Sequence, residues 1–354
     1  MNTAPMTSMQ RTLTTLGHRE PDRVPFFLLA TLHGAKELGL SINRYFSKPG
    51  HVVEGQLRLR AKYRNDCIDN FYHAPLEVEA WGGEVIYSDD GPPNSGEPFI
   101  KKFQDIKRLK LPDIGNTPCL EKVLASARML KEKTKDEVPI IGVVMSPFSL
   151  PVMQMGFDRY FDLMVEAPDL FWDFMRINEE FCVNWANAQL KAGSTAICYF
   201  DPLSSTTITP KDLYLKTGFE IAKRTIARIK GPTATHMASG RCLPVVSDIA
   251  KTGTAIIGVS SQEDIREMKI ACKGKLTVLG NLNGIEMCRW TPVEAEAQVK
   301  HIFARAGAGG GFILSDNHGE IPFQVADEVL MALSEAVHTW GRYPLDWVSD
   351  EREI

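Results

Sequence analysis

In LFWDFMRINEEFCVNWANAQLKAGSTAICYFDP (170–202), an amphipathic run from Leu170 to Lys191 gives way to the short apolar run Thr195–Phe200, and the chain turns polar at Asp201. A helix-length stretch feeding a run too short and too apolar for a helix reads as part of a β/α repeat. The alternation continues in both directions. Upstream, strand candidates are Val24–Ala30, Cys67–Phe71 and Pro139–Met145; downstream they are Thr233–Met237, Ala255–Ser260, Leu276–Gly280 and Gly311–Ser315. Phe157–Glu166, Lys211–Ile229 and Val293–Arg305 are further helical stretches. Several strand candidates are continuously apolar, as expected of strands covered on both faces. Alternating β and α units imply a parallel sheet, and eight of them imply an α/β chain closed as a (β/α)8 TIM barrel. An open doubly wound sheet is the alternative on pattern alone. The first 20 or so residues and the stretch 34–64 read as extra N-terminal helices packed outside the barrel. No linker divides residues 1–354, which predicts a single domain; the Gly- and Pro-rich stretch Asp89–Glu97 reads as a loop insertion.

Composition narrows the function. The chain has 354 residues, 44% of them hydrophobic, enough for a large core without covalent staples. A formal net charge of −4 argues against nucleic acid or an anionic membrane surface as partner. No apolar run has the roughly 18 residues of a membrane span, and the first residues show no signal-peptide pattern. The seven cysteines (67, 119, 182, 198, 242, 272 and 288) form no CxxC pair, and the odd count reads as reduced thiols in a cytoplasmic protein.

Chemistry in a barrel belongs at the C-terminal ends of its strands. Those ends lead to His33; to Tyr72 and His73; to Ser146; to Asp201, Ser204 and Ser205; to His236, Ser239 and Arg241; to Ser260 and Ser261; to Asn281 and Asn283; and to Asp316, Asn317, His318 and Glu320.

Segments spread along the chain carry a resemblance. GHREPDRVPFF (17–27), PLEVEAWGGEVIYSDDGPP (75–93), PIIGVVMSPFSLPVMQMGFDRYF (139–161), AGSTAICYFDPLSSTTITPKDL (192–213), THMASG (235–240), LTVLGNLNGIEM (276–287) and GGGFILSDNHGEIP (309–322) resemble, in order, the uroporphyrinogen decarboxylase superfamily. The branch they resemble is that of the corrinoid-dependent methyltransferases. The resemblance implies a (β/α)8 barrel. The decarboxylases of the family clamp the acetates of a porphyrinogen with an Arg-x-x-x-Arg segment, a use suited to the guanidinium fork. The corresponding PFFLLATLHGAKELG (25–39) holds no arginine, so uroporphyrinogen decarboxylase itself is rejected. The thiol-methylating relatives bind zinc through a His-x-Cys pair and a later Cys. Here those positions read His236, Ala238 and, at or near the third, His318, so both thiolates are missing.

Imidazole and carboxylate ligands leave zinc a stronger Lewis acid than thiolates do, which suits an ether oxygen as leaving group. The resemblance and this chemistry together predict O-demethylation. A metal, or a proton donor, polarises the oxygen of a small methyl ether, and cob(I)alamin on a separate corrinoid protein takes the methyl group. The residues expected to act are His236, His318, Glu320 and Asp201. Tyr72, His73, Ser146, Arg241 and Asn281 are expected to contact substrate, and His236, His318 and Glu79 to be the zinc ligands. Glu320 is open to reading as ligand, general acid or surface residue, and Glu77 or Glu79 as ligand or salt-bridge partner. A decarboxylase-like lyase on a small acid and a non-catalytic barrel scaffold are the competing readings.

Overall fold

The structure, a computed structural model, describes residues 5–317 and 319–348. Seven parallel strands follow chain order across one curled sheet: β1 (Ile68–Asp69), β2 (Ile140–Met145), β3 (Ala196–Phe200), β4 (Thr233–His236), β5 (Ile256–Gly258), β6 (Thr277–Leu282) and β7 (Phe312–Asp316). Each falls on a strand expected from the sequence. The eighth, Val24–Ala30, does not form a ladder: it makes one isolated parallel bridge, Phe26 to Leu314. It nevertheless touches both edges of the sheet. Phe27 N–H donates to Leu314 O (2.9 Å) and Leu314 N–H to Pro25 O (2.9 Å) on the β7 side, while Asp66 N–H donates to Phe26 O (2.7 Å) on the β1 side.

The register is regular and sets which side chains face the axis. Asp69 pairs with Ile141, Ile141 with Ala196, Cys198 with Ala234, and Phe200 with His236. Further round, His236 pairs with Gly258, Gly258 with Leu279, and Leu279 with Ile313. Side chains alternate faces along a strand, so this set shares the inner face. The other face carries Ile140, Val144, Ile197, Tyr199 and Ile257, all fully buried.

Phe157–Glu166 is a helix as expected, and Leu170–Lys191 lies within the helix Pro168–Ala192. Gly193, at φ 134°, ends the latter; a Cβ there would sit 2.9 Å from Ala127 O. The expected Lys211–Ile229 divides into Lys211–Lys216 and Gly218–Ile226, because Thr217 leaves the helical region (φ −126°, ψ −87°). Asp89–Glu97 is not all loop: Asn94–Ser95 pairs antiparallel with Val85–Ile86. Before β1 lie helices Ser8–Leu16, His33–Leu38, Ile42–Phe46 and Pro49–Tyr63. Ser8–Leu16 opens with a Thr7/Gln10 capping box and closes over the N-terminal ends of the strands, where Met9, Thr12, Leu13 and Leu16 line the barrel interior.

Candidate active site

A cavity of about 380 Å³ runs inside the barrel to the C-terminal ends of the strands, where chemistry is expected in this architecture. Its walls are apolar, with Phe27, Leu29, Ile141, Val143, Phe200 and Leu279 among them. Asp69, His73, His236 and Glu320 are the ionisable groups of ordinary acid–base chemistry among its described lining residues, which include no lysine or arginine.

The Glu320 carboxylate accepts the Leu32 N–H (2.9 Å). Asp69 accepts the Thr31 hydroxyl (2.9 Å), and Thr31 also bonds Glu320. Asp316, fully buried at the end of β7, accepts Leu29 N–H (2.9 Å). Three carboxyls thus gather where the 24–32 segment meets β1 and β7. Burial and the neighbouring carboxyls disfavour the charged forms of Asp69 and Glu320. Asp69 is pushed up to about 7 by burial, with Asp316 adding to the effect. Burial holds Glu320 well above the usual carboxylate range, and Asp69 and Asp316 push the same way. A carboxylic acid that keeps its proton at neutral pH is a donor in place.

His236 ends β4 buried, its ring stacked on Phe200 at 5.6 Å between centroids. Gly258 makes room for it: a Cβ there would lie 2.4 Å from the imidazole Cδ2. Its Nδ1 accepts Ala238 N–H (3.0 Å), which places the proton of the neutral ring on Nε2. A zinc ligand must offer a lone pair, and in this arrangement both nitrogens are committed. Among the described residues no three His, Cys, Asp or Glu side chains group as a metal site. Of the three expected ligands, His236 lines this cavity and Glu79 does not, and His318 lies outside the described residues.

Of the other expected residues, Tyr72 and His73 share this cavity and the rest are placed apart. Ser146 and Ser149 donate their hydroxyls to Asp201 (2.5 and 2.7 Å). This buried knot joins the loops after β2 and β3, and neither Ser146 nor Asp201 is among the lining residues, so Asp201 braces the rim instead of facing the cavity. Burial raises the Asp201 carboxyl, with the serines pulling the other way. Arg241 is exposed and does not line the cavity. Asn281 donates to Ser260 O and Glu263 O (3.0 and 3.3 Å) and lines a separate polar groove. Tyr72 lines the cavity but spends its hydroxyl on Lys122 O (3.1 Å). His73 lines it too, pushed down to about 3 by burial and so neutral; its Nε2 meets the Tyr87 hydroxyl at 3.4 Å and Glu79 at 4.0 Å. Glu79 is outside the lining that His236 belongs to. Asp69 and Thr31 were not picked out from the sequence. The available signal was an acid inside the apolar run Cys67–Phe71, a position where an ionisable group is costly without a use.

Glu77 is a further buried acid, away from the cavity. Its Oε1 accepts Met145 N–H (2.8 Å), Oε2 has no partner among the described residues, and burial pushes it up to about 8. The unfolded chain ionises near 4.5 while the folded one resists until about 8, so stability is lost as pH rises through that window. Glu77→Gln keeps the acceptor and removes the titration. Its advantage over the parent in urea unfolding should grow by about 1.4 kcal/mol per pH unit across the window. Parallel curves for the two proteins would assign the pH dependence elsewhere.

A curled parallel sheet of seven strands in chain order defines a TIM-barrel-like fold. The sequence matches the uroporphyrinogen decarboxylase (URO-D) family over residues 7–340, and the chain belongs to that family. It is 23% identical to the uroporphyrinogen decarboxylase of Idiomarina loihiensis, covering 96% of this chain and 98% of that one. It is 25% identical to that of Methylococcus capsulatus, covering 83% and 85%. Among solved structures, a methyltransferase from Methanosarcina mazei superposes with a TM-score of 0.85 at 20% identity, over 94% of this chain and 99% of that one. A B12-independent methionine synthase from Shewanella sp. W3-18-1 gives 0.52 at 14% identity, over 86% and 89%. No helix among the described residues is long and apolar enough to cross a membrane.

Proposed function

We propose that the chain is a corrinoid-dependent methyltransferase that demethylates a small aryl methyl ether. The observation that carries this reading is the cavity lining: buried carboxyls whose charged forms are disfavoured and the His236 imidazole, in an otherwise apolar space with no lysine or arginine among its described residues. A multiply charged acid would find nothing there to neutralise it, which weighs against a decarboxylase-like role. A neutral aromatic ether suits both the walls and the donors.

In this reading the ether oxygen faces the Glu320 carboxyl, with Asp69 beside it. The acceptor is a corrinoid in its Co(I) state on a partner protein, which supplies the nucleophile. The methyl carbon–oxygen bond breaks as the methyl group passes to the acceptor, the oxygen keeps the electron pair, and Glu320 gives it a proton. A phenol leaves, and Glu320 regains its proton from solvent. The apolar walls exclude water from the reacting end. His236 lines the same cavity and helps to position the substrate within it. No step requires a metal. The described cysteines are all unbridged, consistent with the reducing cytoplasm that Co(I) needs.

The test is incubation of the full chain with methoxybenzenes and cob(I)alamin, free or on a corrinoid protein. The expected result is loss of the Co(I) absorbance with one phenol formed per methyl transferred. Carbon dioxide release from small acids would select the lyase reading, and neither reaction the scaffold reading.

A further inference from the structure

Barrel interiors are ordinarily filled by layers of bulky branched side chains. Here four axis-facing positions on three adjacent strands are small: Ala196 and Cys198 on β3, Ala234 on β4 and Gly258 on β5, below the larger Phe200 and His236. The burial pattern follows. Along β2 and β3 the outward side chains Ile140, Val144, Ile197 and Tyr199 are at most 1% exposed, whereas the axis-facing Ile141, Val143, Ala196, Cys198 and Phe200 keep intermediate exposure. The dry core lies between sheet and helices, and the barrel axis is open. The cavity therefore extends from Glu320 and His236 down to Pro139, Thr195 and Pro232 at the opposite strand ends, where Met9, Leu13 and Leu16 form its floor.

We infer that this lumen binds the apolar body of an elongated ligand, an aryl ring carrying an alkyl tail that points toward the helix Ser8–Leu16. The inference rests on the proposed ether chemistry only for which end of the ligand points up. The polar end belongs beside the carboxyls, because the described lining offers no other acid or cation. The tail belongs below, between Ala196, Cys198, Ala234 and Ile256. An engineered apolar cavity of about 150 Å³ suffices for benzene, so 380 Å³ holds a ring and several further carbons. The floor sets a maximum length.

Titration calorimetry of the full chain with 4-alkylphenols, from methyl to octyl, tests this. Binding should tighten about fourfold per methylene, the value of burying one CH₂, and then stop improving where the tail meets the floor. Ala234→Phe and Ala196→Leu, which add bulk at two levels of the lumen, should end the series earlier and leave the shortest member unaffected. A flat series in the parent protein would overturn the inference, as would an unchanged series in both folded variants. If one variant does not fold, the parent series and the other variant still decide. The readout needs no corrinoid. A rising series without demethylation upholds the lumen and sinks the methyltransferase reading; demethylation with a flat series does the reverse.

Discussion

Glu320→Gln is expected to slow methyl transfer by roughly 10²- to 10⁴-fold, the usual contribution of a positioned general acid, with little change in ether binding. The amide has the shape of the carboxyl and keeps an acceptor for Leu32 N–H, the 2.9 Å bond that holds the side chain in place. What it lacks is an acidic proton. Two further readouts separate this role from a structural one. The defect should shrink for nitrophenyl methyl ethers, whose phenolates leave without protonation. In the parent protein the rate should fall as pH rises and the acid ionises, burial and the neighbouring Asp69 and Asp316 having moved that limb upward; in Glu320→Gln the limb should be absent. Single-turnover loss of Co(I) absorbance reads all three. A parent-like rate in Glu320→Gln together with loss in Asp69→Asn would transfer the proton to Asp69, whose carboxyl is pushed up to about 7.

The strands were legible because parallel strands covered on both faces are short and continuously apolar, and that pattern is local. Val24–Ala30 has the same pattern, yet it makes one isolated bridge instead of a ladder, with two backbone hydrogen bonds to Leu314 on one side and one from Asp66 on the other. Pairing depends on the neighbours' geometry, which composition does not record. The open lumen was illegible for a related reason. In TAICYF (195–200) the inward Ala196 and Cys198 alternate with the outward Ile197 and Tyr199, and all four are apolar, so sequence alone does not tell wall from core. The site was half legible. The strand-end rule finds His236 and Glu320, which line the cavity, but it equally selects Asp201 and Asn281, which sit at strand ends and face elsewhere. Position along a strand is written in the chain, whereas direction around the rim is set by register.

Asp66→Ala is expected to cost about 3–5 kcal/mol of stability, the penalty for leaving buried charges without their partner. Asp66 is fully buried just before β1 and gathers segments distant in the chain. It accepts Arg11 Nη1 at 2.6 Å, Arg23 Nη1 at 2.7 Å, Ser8 Oγ at 3.1 Å and Phe26 N–H at 2.9 Å. Truncation leaves two largely buried guanidiniums; Asp22 still holds Arg11 through two 2.6 Å bonds, so Arg23 carries most of the penalty. Replacing Arg23 and Asp66 together by Met and Leu should recover much of the loss, because apolar residues of similar volume need no counter-charge. Urea midpoints of the single and double variants measure both effects, and equal losses in the two would assign the stabilisation to packing rather than to the ion pair. The same variants bear on the lumen. Asp66 ties the helix Ser8–Leu16 to the barrel through Ser8 and Arg11, beside the backbone bonds Met9 N–H to Glu137 O (2.9 Å) and Gly311 N–H to Thr15 O (3.1 Å), and that helix supplies the floor. A folded Asp66→Ala protein with a loosened helix should therefore accept longer alkylphenols than the parent before its affinity stops rising.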